Sequence, residues 1–477
     1  MESKNWIGGE WFVPHGEEFI VRNPSEMSHE VGVVHLSPAS DVFRAAQAAR
    51  RSLPAWASLT GAKRGEYLYK IAILLEQHID EVANLASSEM GKPISELRGE
   101  VMRGVHLLKY YAAEGVRSNG DVIPSNECDV LQYSVRVPLG VVGIITPWNF
   151  PVAIPIWKLA PALICGNTVI WKPAENASLT ATLLAELFVE AELPAGVVNV
   201  VMGRGSDVGD ALVSQAIVDA ISFTGSTSIG RQIAVKCADR NVKFQTEMGG
   251  KNAAIVLDDA DLVKAVPAIL SGAFRSAGQK CTATSRLIVQ QGVAPALIKE
   301  ITKAVAELAV GHALDATTYT GPVASQAQYQ KVLSYVNLAN TDGTIVAQGR
   351  SKVDPYSGFY VMPTVVSDID ADHALVQEEI FGPVTTLLTV PDYDAAVELC
   401  NRTLYGLSAS LFTRDLSHAL SFLNDVSAGM VRVNQETAGV EYQAPFGGMK
   451  QSSSHIREQG QAALTFYSQV KTCAIAY

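Results

Sequence analysis

The stretch Val137–Trp157, VPLGVVGIITPWNFPVAIPIW, decides how the chain folds. It carries no charged residue over a length that would cross a bilayer as a helix. Yet Pro138, Pro147, Pro151 and Pro155, with Gly140 and Gly143, interrupt it too often for a helix interior. Val141–Ile145 is therefore a buried strand, and TPWNFP after it is a loop shaped by its prolines. Beyond this point short β-branched runs alternate with helical stretches. The pattern predicts strands at Val141–Ile145, Thr168–Trp171, Val197–Val201, Ala220–Phe223 and Phe244–Met248. Between them it predicts helices at Ile156–Ile164, Leu179–Glu190, Asp207–Gln215 and Ser228–Ala238. Such alternation builds an open, mostly parallel α/β sheet.

A second series follows Gly250, with strands at Ala253–Leu257, Arg286–Val289, Val384–Thr389, Ser408–Phe412 and Met430–Val433. Its helices are predicted at Leu262–Ser276, Pro295–Val310, Tyr393–Arg402 and Leu416–Asn424. The fold class is α/β, with two doubly wound open-sheet lobes. Upstream, NWIGGEWF and EFIVRNP read as strands, followed by helices at Asp41–Leu59, Lys63–Met90 and Ile94–Arg117. Cys128–Val137 and Thr465–Ile475 alternate polar and apolar residues, as strands of an extended arm do. The predicted division is 1–120 with 138–250 as one lobe, 251–450 as the other, and 121–137 with 451–477 as a small β arm.

The composition agrees with a large buried core: 477 residues, 48% hydrophobic and 18% charged. With 37 Lys and Arg against 48 Asp and Glu, the net charge is −11, which lacks the footprint of a nucleic-acid binder. No polybasic cluster offers a membrane-surface patch. The N-terminal run MESKNWIGGEW has no basic segment leading into an apolar one, so a cytoplasmic location is predicted. The six cysteines form no C-x-x-C pair and the nine histidines no H-x-x-x-H, so neither a disulfide framework nor a metal site is predicted.

A few residues could carry chemistry. Cys281, in SAGQKCTATSR, follows a helix that ends near Gly278, where neighbouring N–H groups, Lys280 and Arg275 would favour a thiolate. The plain alternative is a small buried hydrophobe. Glu247 ends a strand in FQTEMGGKNA, where open α/β sheets place their sites; the alternative is a surface glutamate beside a turn. Asn149, in TPWNFP, could donate to a developing oxyanion or merely satisfy its own loop. Lys172 and Glu175, in WKPAEN, could hold ribose hydroxyls. Gly225 and Gly230, in FTGSTSIG, either aim helix N–H groups at a phosphate or only turn the chain; the G-x-G-x-x-G spacing is absent.

Taken in order, PWNFP at 147–151, WKPAE at Trp171–Glu175, FTGS at Phe223–Ser226, EMGGKN at Glu247–Asn252, GQKC at Gly278–Cys281, EEIFGPV at Glu378–Val384 and PFGGMK at Pro445–Lys450 resemble the NAD(P)-dependent aldehyde dehydrogenase superfamily over nearly the whole chain. The resemblance implies a cofactor lobe, a catalytic lobe and a β arm that builds a homodimer or homotetramer. It implies that Cys281 is the nucleophile, that Glu247 activates water, and that Asn149 shares an oxyanion hole with the backbone N–H of Cys281. It places the adenosine ribose on Lys172 and Glu175, the pyrophosphate on Ser226 beside Gly225, and the nicotinamide ribose on Glu379, with Phe381 and Trp148 nearby. Because Glu175 would repel a 2′-phosphate, NAD is expected over NADP.

Gln451 to Gly460, QSSSHIREQG, departs from the S-G-x-G-R-E of many relatives. With CTATSR it resembles the 2-oxoglutarate semialdehyde (2,5-dioxopentanoate) dehydrogenase branch. The resemblance puts Arg275, six residues before Cys281, and Arg103 in the substrate tunnel, where cations suit the carboxylate of a small-molecule aldehyde acid. Gln443 is a candidate donor to a keto group. Succinate or glutarate semialdehyde are alternative substrates. CoA-acylating acyl transfer is an alternative reaction, against which Glu247 argues. A catalytically silent relative would have lost Cys281, Glu247 or Asn149, and all three are present.

Overall fold

The computed structural model describes residues 1–351, 353, 354 and 356–477. Its first sheet has seven strands in the order Lys243–Glu247, Ala220–Thr224, Val141–Ile145, Thr168–Lys172, Val198–Val200, Asn5–Ile7, Glu10–Phe12. The first five are parallel, and the N-terminal hairpin adds on antiparallel through Trp6 opposite Val200. Val141–Ile145 is central and almost wholly buried, as its uncharged sequence requires. Side chains alternate between two apolar layers: Val142, Ile144, Val169 and Trp171 on one face, Val141, Ile170 and Ile221 on the other. The helix Ala153–Ile164, apolar but for Lys158, is buried throughout, wedged between the sheet and Ile94–Glu114.

Chain order reverses between Val141–Ile145 and Ala220–Thr224, because successive strands leave in opposite directions from there. Ligands bind at such a switch point, beyond the carboxyl ends of the strands. Here those ends lead into Pro147–Asn149 and Gly225–Ser226.

The second sheet also has seven strands: Thr344–Gln348, Thr364–Ser367, Val384–Val390, Thr284–Gln290, Asn252–Val256, Ser408–Phe412 and Met430–Val433. All are parallel except the first. Thr344–Gln348, Thr364–Ser367 and the helix Gln326–Asp342 were not predicted. The predicted helix Lys63–Met90 is two helices, Gly61–Gln77 and Ile79–Met90, because His78 leaves helical geometry at φ −105° and ψ 21°. The arm is a three-stranded sheet of Val122–Ile123, Val130–Pro138 and Ser468–Ala476. Of the predicted arm segment 451–477, only Ser468–Ala476 is an arm strand. Before it, Ser452 accepts from the Met248 N–H at 2.8 Å and Ser454 donates to Thr246 at 2.9 Å, so this part lies against the first lobe. Among the described residues no helix is long and apolar enough to cross a membrane.

Candidate active site

Cys281 sits where the helix Leu262–Phe274 unwinds. Ser276, Ala277 and Gly278 follow with φ of 54°, 52° and 67°. Left-handed backbone at two non-glycine residues is costly and persists only where neighbours hold it. Glu96 does so, its carboxylate accepting from the Ser276 N–H at 2.8 Å and the Ser276 hydroxyl at 2.7 Å. Gln279 locks the next step, its Oε1 accepting from the Ala324 N–H at 2.9 Å. Its carbonyl receives Asn149 Nδ2 at 2.9 Å, which ties the buried asparagine to the Cys281 loop. Lys92 Nζ donates to the Asn149 carbonyl at 3.2 Å from the other side. From below, Asn252 Nδ2 donates to the Cys281 carbonyl at 2.8 Å. Gly250 permits that approach, since a Cβ there would lie 2.7 Å from the same carbonyl oxygen.

A cavity of about 190 Å³ brings together seven of the predicted residues: Trp148, Asn149, Gly225, Ser226, Cys281, Glu379 and Phe381. Trp148 and Phe381 meet edge to face at 5.5 Å. The left-handed φ of Phe381, 58°, is supported by Gln328 Nε2 donating to its carbonyl at 2.7 Å, and Lys331 Nζ donates to the Glu379 carbonyl at 3.0 Å. Both partners come from the unpredicted helix Gln326–Asp342. Its signal was present as Ser325 followed three residues later by Gln328, and Ser325 Oγ indeed accepts from the Gln328 N–H at 3.2 Å.

Glu247 is buried behind this cavity. Its Oε2 accepts from Ser453 Oγ at 2.6 Å, while Oε1 has no hydrogen-bond partner among the described residues. Burial, and then the charge of Glu458, push its carboxyl well above the usual range. Glu458 itself pairs with the fully buried Lys158. Sequence reasoning missed Ser453, Lys158 and Glu458, because their partners lie hundreds of residues away. The expectation that Lys280 and Arg275 favour a Cys281 thiolate is corrected. Lys280 Nζ turns away to the Ser271 carbonyl at 3.1 Å. Burial, then the carboxylates of Glu379 and Glu247, push the thiol up to about 12.

Toward the far edge, Lys172 is buried with Nζ on the Pro173 carbonyl at 2.8 Å and 3.7 Å from Glu175. Glu175 Oε1 accepts from the Gly205 N–H at 2.8 Å, and with Arg204 and Phe19 it lines a second cavity, outside the strand ends. Beside the first cavity, Thr224 Oγ1 and Thr227 Oγ1 are buried without hydrogen-bond partners among the described residues, at a helix N-terminus suited to phosphate. A Cβ on Gly225 would strike the Phe223 ring at 2.5 Å, so only glycine leaves this wall in place.

The three predicted substrate residues are not in these cavities. Arg275 is half-buried, its guanidinium 5.1 Å from the centre of the Tyr319 ring. Arg103 Nη2 donates to Gln459 Oε1 at 2.9 Å. Gln443 is exposed, its side chain without a hydrogen bond among the described residues.

A model of the aldehyde dehydrogenase family matches residues 11–473. An alpha-ketoglutaric semialdehyde dehydrogenase of Bacillus subtilis (strain 168) is 48% identical over 472 residues, 98% of this chain and 97% of that one. A 2,5-dioxopentanoate dehydrogenase of Saccharolobus solfataricus is 38% identical over 475 residues, 99% of each. The crystal structure of betaine aldehyde dehydrogenase from Staphylococcus aureus in complex with NAD+ has a TM-score of 0.96 to this chain at 32% identity, covering 99% of this chain and 94% of that one.

Proposed function

The chain belongs to the aldehyde dehydrogenase family, an NAD(P)-dependent oxidoreductase acting on aldehydes, and from that premise we propose that it oxidises 2-oxoglutarate semialdehyde to the dicarboxylic acid with NAD+ preferred. The observation that carries aldehyde oxidation is the meeting of Cys281, Asn149, Ser226, Glu379 and Phe381 at one cavity, with Glu247 buried beside it, and the likeness to the semialdehyde dehydrogenases supports the substrate. Succinate and glutarate semialdehyde are the runners-up.

Cys281 Sγ attacks the aldehyde carbon and forms a thiohemiacetal. A thiol held near 12 needs a base, and Glu247, its own carboxyl raised by burial, is a stronger proton acceptor than an exposed glutamate. The developing oxyanion is received by the second N–H of Asn149 Nδ2 and the Cys281 backbone N–H. Gln279 pre-aligns the asparagine, so little reorganisation is needed. NAD(P), when bound, supplies the acceptor for the two-electron oxidation that leaves a thioester on Cys281. Once Glu247 has released the thiol proton to solvent, its Oε1, the oxygen that Ser453 leaves free, takes a proton from the water that hydrolyses the thioester. Lys172 and Glu175 hold the adenosine ribose, Gly225 and Ser226 the pyrophosphate, and Glu379 with Trp148 and Phe381 the nicotinamide end. Arg103 and Arg275 receive the carboxylate of the substrate.

The arm exposes Leu131, Val470 and Ile475, which suits a homodimer or homotetramer. Six free cysteines suit a reducing, cytoplasmic setting. The test is to mix the protein with 2,5-dioxopentanoate and NAD+ without CoA and follow absorbance of the reduced cofactor. Turnover that appears only when CoA is added would replace hydrolysis by acyl transfer.

A further inference from the structure

Gln459 is fully buried in a backbone geometry that residues with side chains avoid, φ 57°. Its neighbours hold it there. Glu458 exchanges two backbone hydrogen bonds with Phe446, at 2.7 and 2.8 Å, and the Gly460 N–H donates to Tyr442 at 3.1 Å. Gln459 Oε1 accepts from Arg103 Nη2 at 2.9 Å. What remains is a set of donors. Gln459 Nε2, Arg103 Nε and Trp157 Nε1 are each buried with no hydrogen-bond partner among the described residues. Nor does Arg103 make an ion pair among the described residues. Glu100, one turn earlier, is engaged by Lys92 at 2.7 Å and by the N–H groups of Val152 and Ala153 at 2.9 and 3.0 Å.

Of these donors, Trp157 is linked to the reacting centre through one ring. The Trp157 ring lies 5.3 Å from Phe446, and Cys281 packs against the apolar cluster that contains Phe446. Buried N–H groups lacking acceptors are rare and costly. A 2-oxo acid carries the complementary chemistry, two carboxylate oxygens and a keto oxygen, all acceptors. We propose that Gln459 is a specificity-determining residue: it holds Arg103 toward the substrate carboxylate and donates its own Nε2–H to the 2-oxo oxygen. The enzyme thereby separates 2-oxo semialdehyde acids from those without the keto group. This rests on the reading of the substrate as an aldehyde acid.

Two substrates of equal length isolate the keto group, 2,5-dioxopentanoate and 5-oxopentanoate. The wild-type kcat/KM favours the first by about tenfold or more, the worth of one well-made hydrogen bond in a buried site. In Gln459→Met that preference falls by about tenfold. A ratio between two substrates is independent of the folded fraction of the preparation. Gln459→Glu retains an acceptor for Arg103 but loses the donor, and shows the same fall. Arg103→Met lowers kcat/KM for both acids relative to propanal and leaves their ratio within about threefold. An unchanged ratio in either Gln459 variant, or a wild type that treats the two acids alike, overturns the proposal. A wild type that prefers propanal to both acids overturns the aldehyde-acid reading instead.

Discussion

Gly249→Ala separates the stability of the fold from its use of the cofactor. A Cβ at residue 249 would lie 2.4 Å from Glu379 Oε2 and 2.6 Å from its Cδ, so the carboxylate must leave. The fold can accommodate this. The displaced atoms are the tip of a side chain, and among the described residues one hydrogen bond leaves with them, the Gly250 N–H to Oε1 contact of 3.2 Å. Residue 249 is not among the positive-φ glycines, so alanine adds no backbone strain. The stability cost is about 1 kcal/mol or less. The functional cost is larger, because a carboxylate on ribose hydroxyls makes charge-assisted hydrogen bonds. Losing them costs about 2–3 kcal/mol, so the Kd for NAD+ rises roughly 30- to 150-fold. Titration calorimetry in a Cys281→Ala background measures this without turnover. Glu379→Gln weakens NAD+ in the same direction, and adding Gly249→Ala to it brings little further loss, since both act on one group. NAD+ affinity within twofold of the parent, or full additivity of the two changes, would refute the reasoning.

Cys281→Ala abolishes aldehyde oxidation while retaining NAD+ affinity, checked by steady-state kinetics beside calorimetry; substantial turnover would remove Cys281 from the mechanism. Glu247→Gln accumulates the acyl-enzyme, seen by mass spectrometry as an adduct on the Cys281 peptide after mixing with substrate and NAD+. Because burial and two carboxylates push the Cys281 thiol up to about 12, the thiol stays protonated at neutral pH. Its alkylation by iodoacetamide in cofactor-free protein then climbs about tenfold per pH unit from 7 to 10, and a plateau below pH 9 would contradict this. Glu175, held by the Gly205 N–H at 2.8 Å, disfavours a 2′-phosphate, so kcat/KM is larger for NAD+ than for NADP+. A larger value for NADP+ would defeat that assignment.

The amino-acid sequence by itself determined what depends on local pattern. The breakers in Val137–Trp157 exclude a spanning helix, and the structure has the central strand Val141–Ile145 there. Alternating β-branched and helical runs encode two wound sheets, because burial on both faces of a parallel strand demands uninterrupted apolar residues. The short motifs were legible because a side chain at Gly225 would strike the Phe223 ring and one at Gly249 would displace the Glu379 carboxylate. Elements with weak periodicity were not legible: Thr364–Ser367, Thr344–Gln348 and the helix Gln326–Asp342, of whose residues only Val332 and Ala339 are buried. Contacts joining distant segments were equally hidden, such as Ser453 on Glu247, 206 residues apart, and Gln459 on Arg103, 356 apart. Likewise, nothing in GQKC announces a thiol near 12; that value follows from burial and from carboxylates on two other strand ends and loops. Charges, unlike burial periods, act through space, so only the packing of both lobes decides which side chains face the nucleophile.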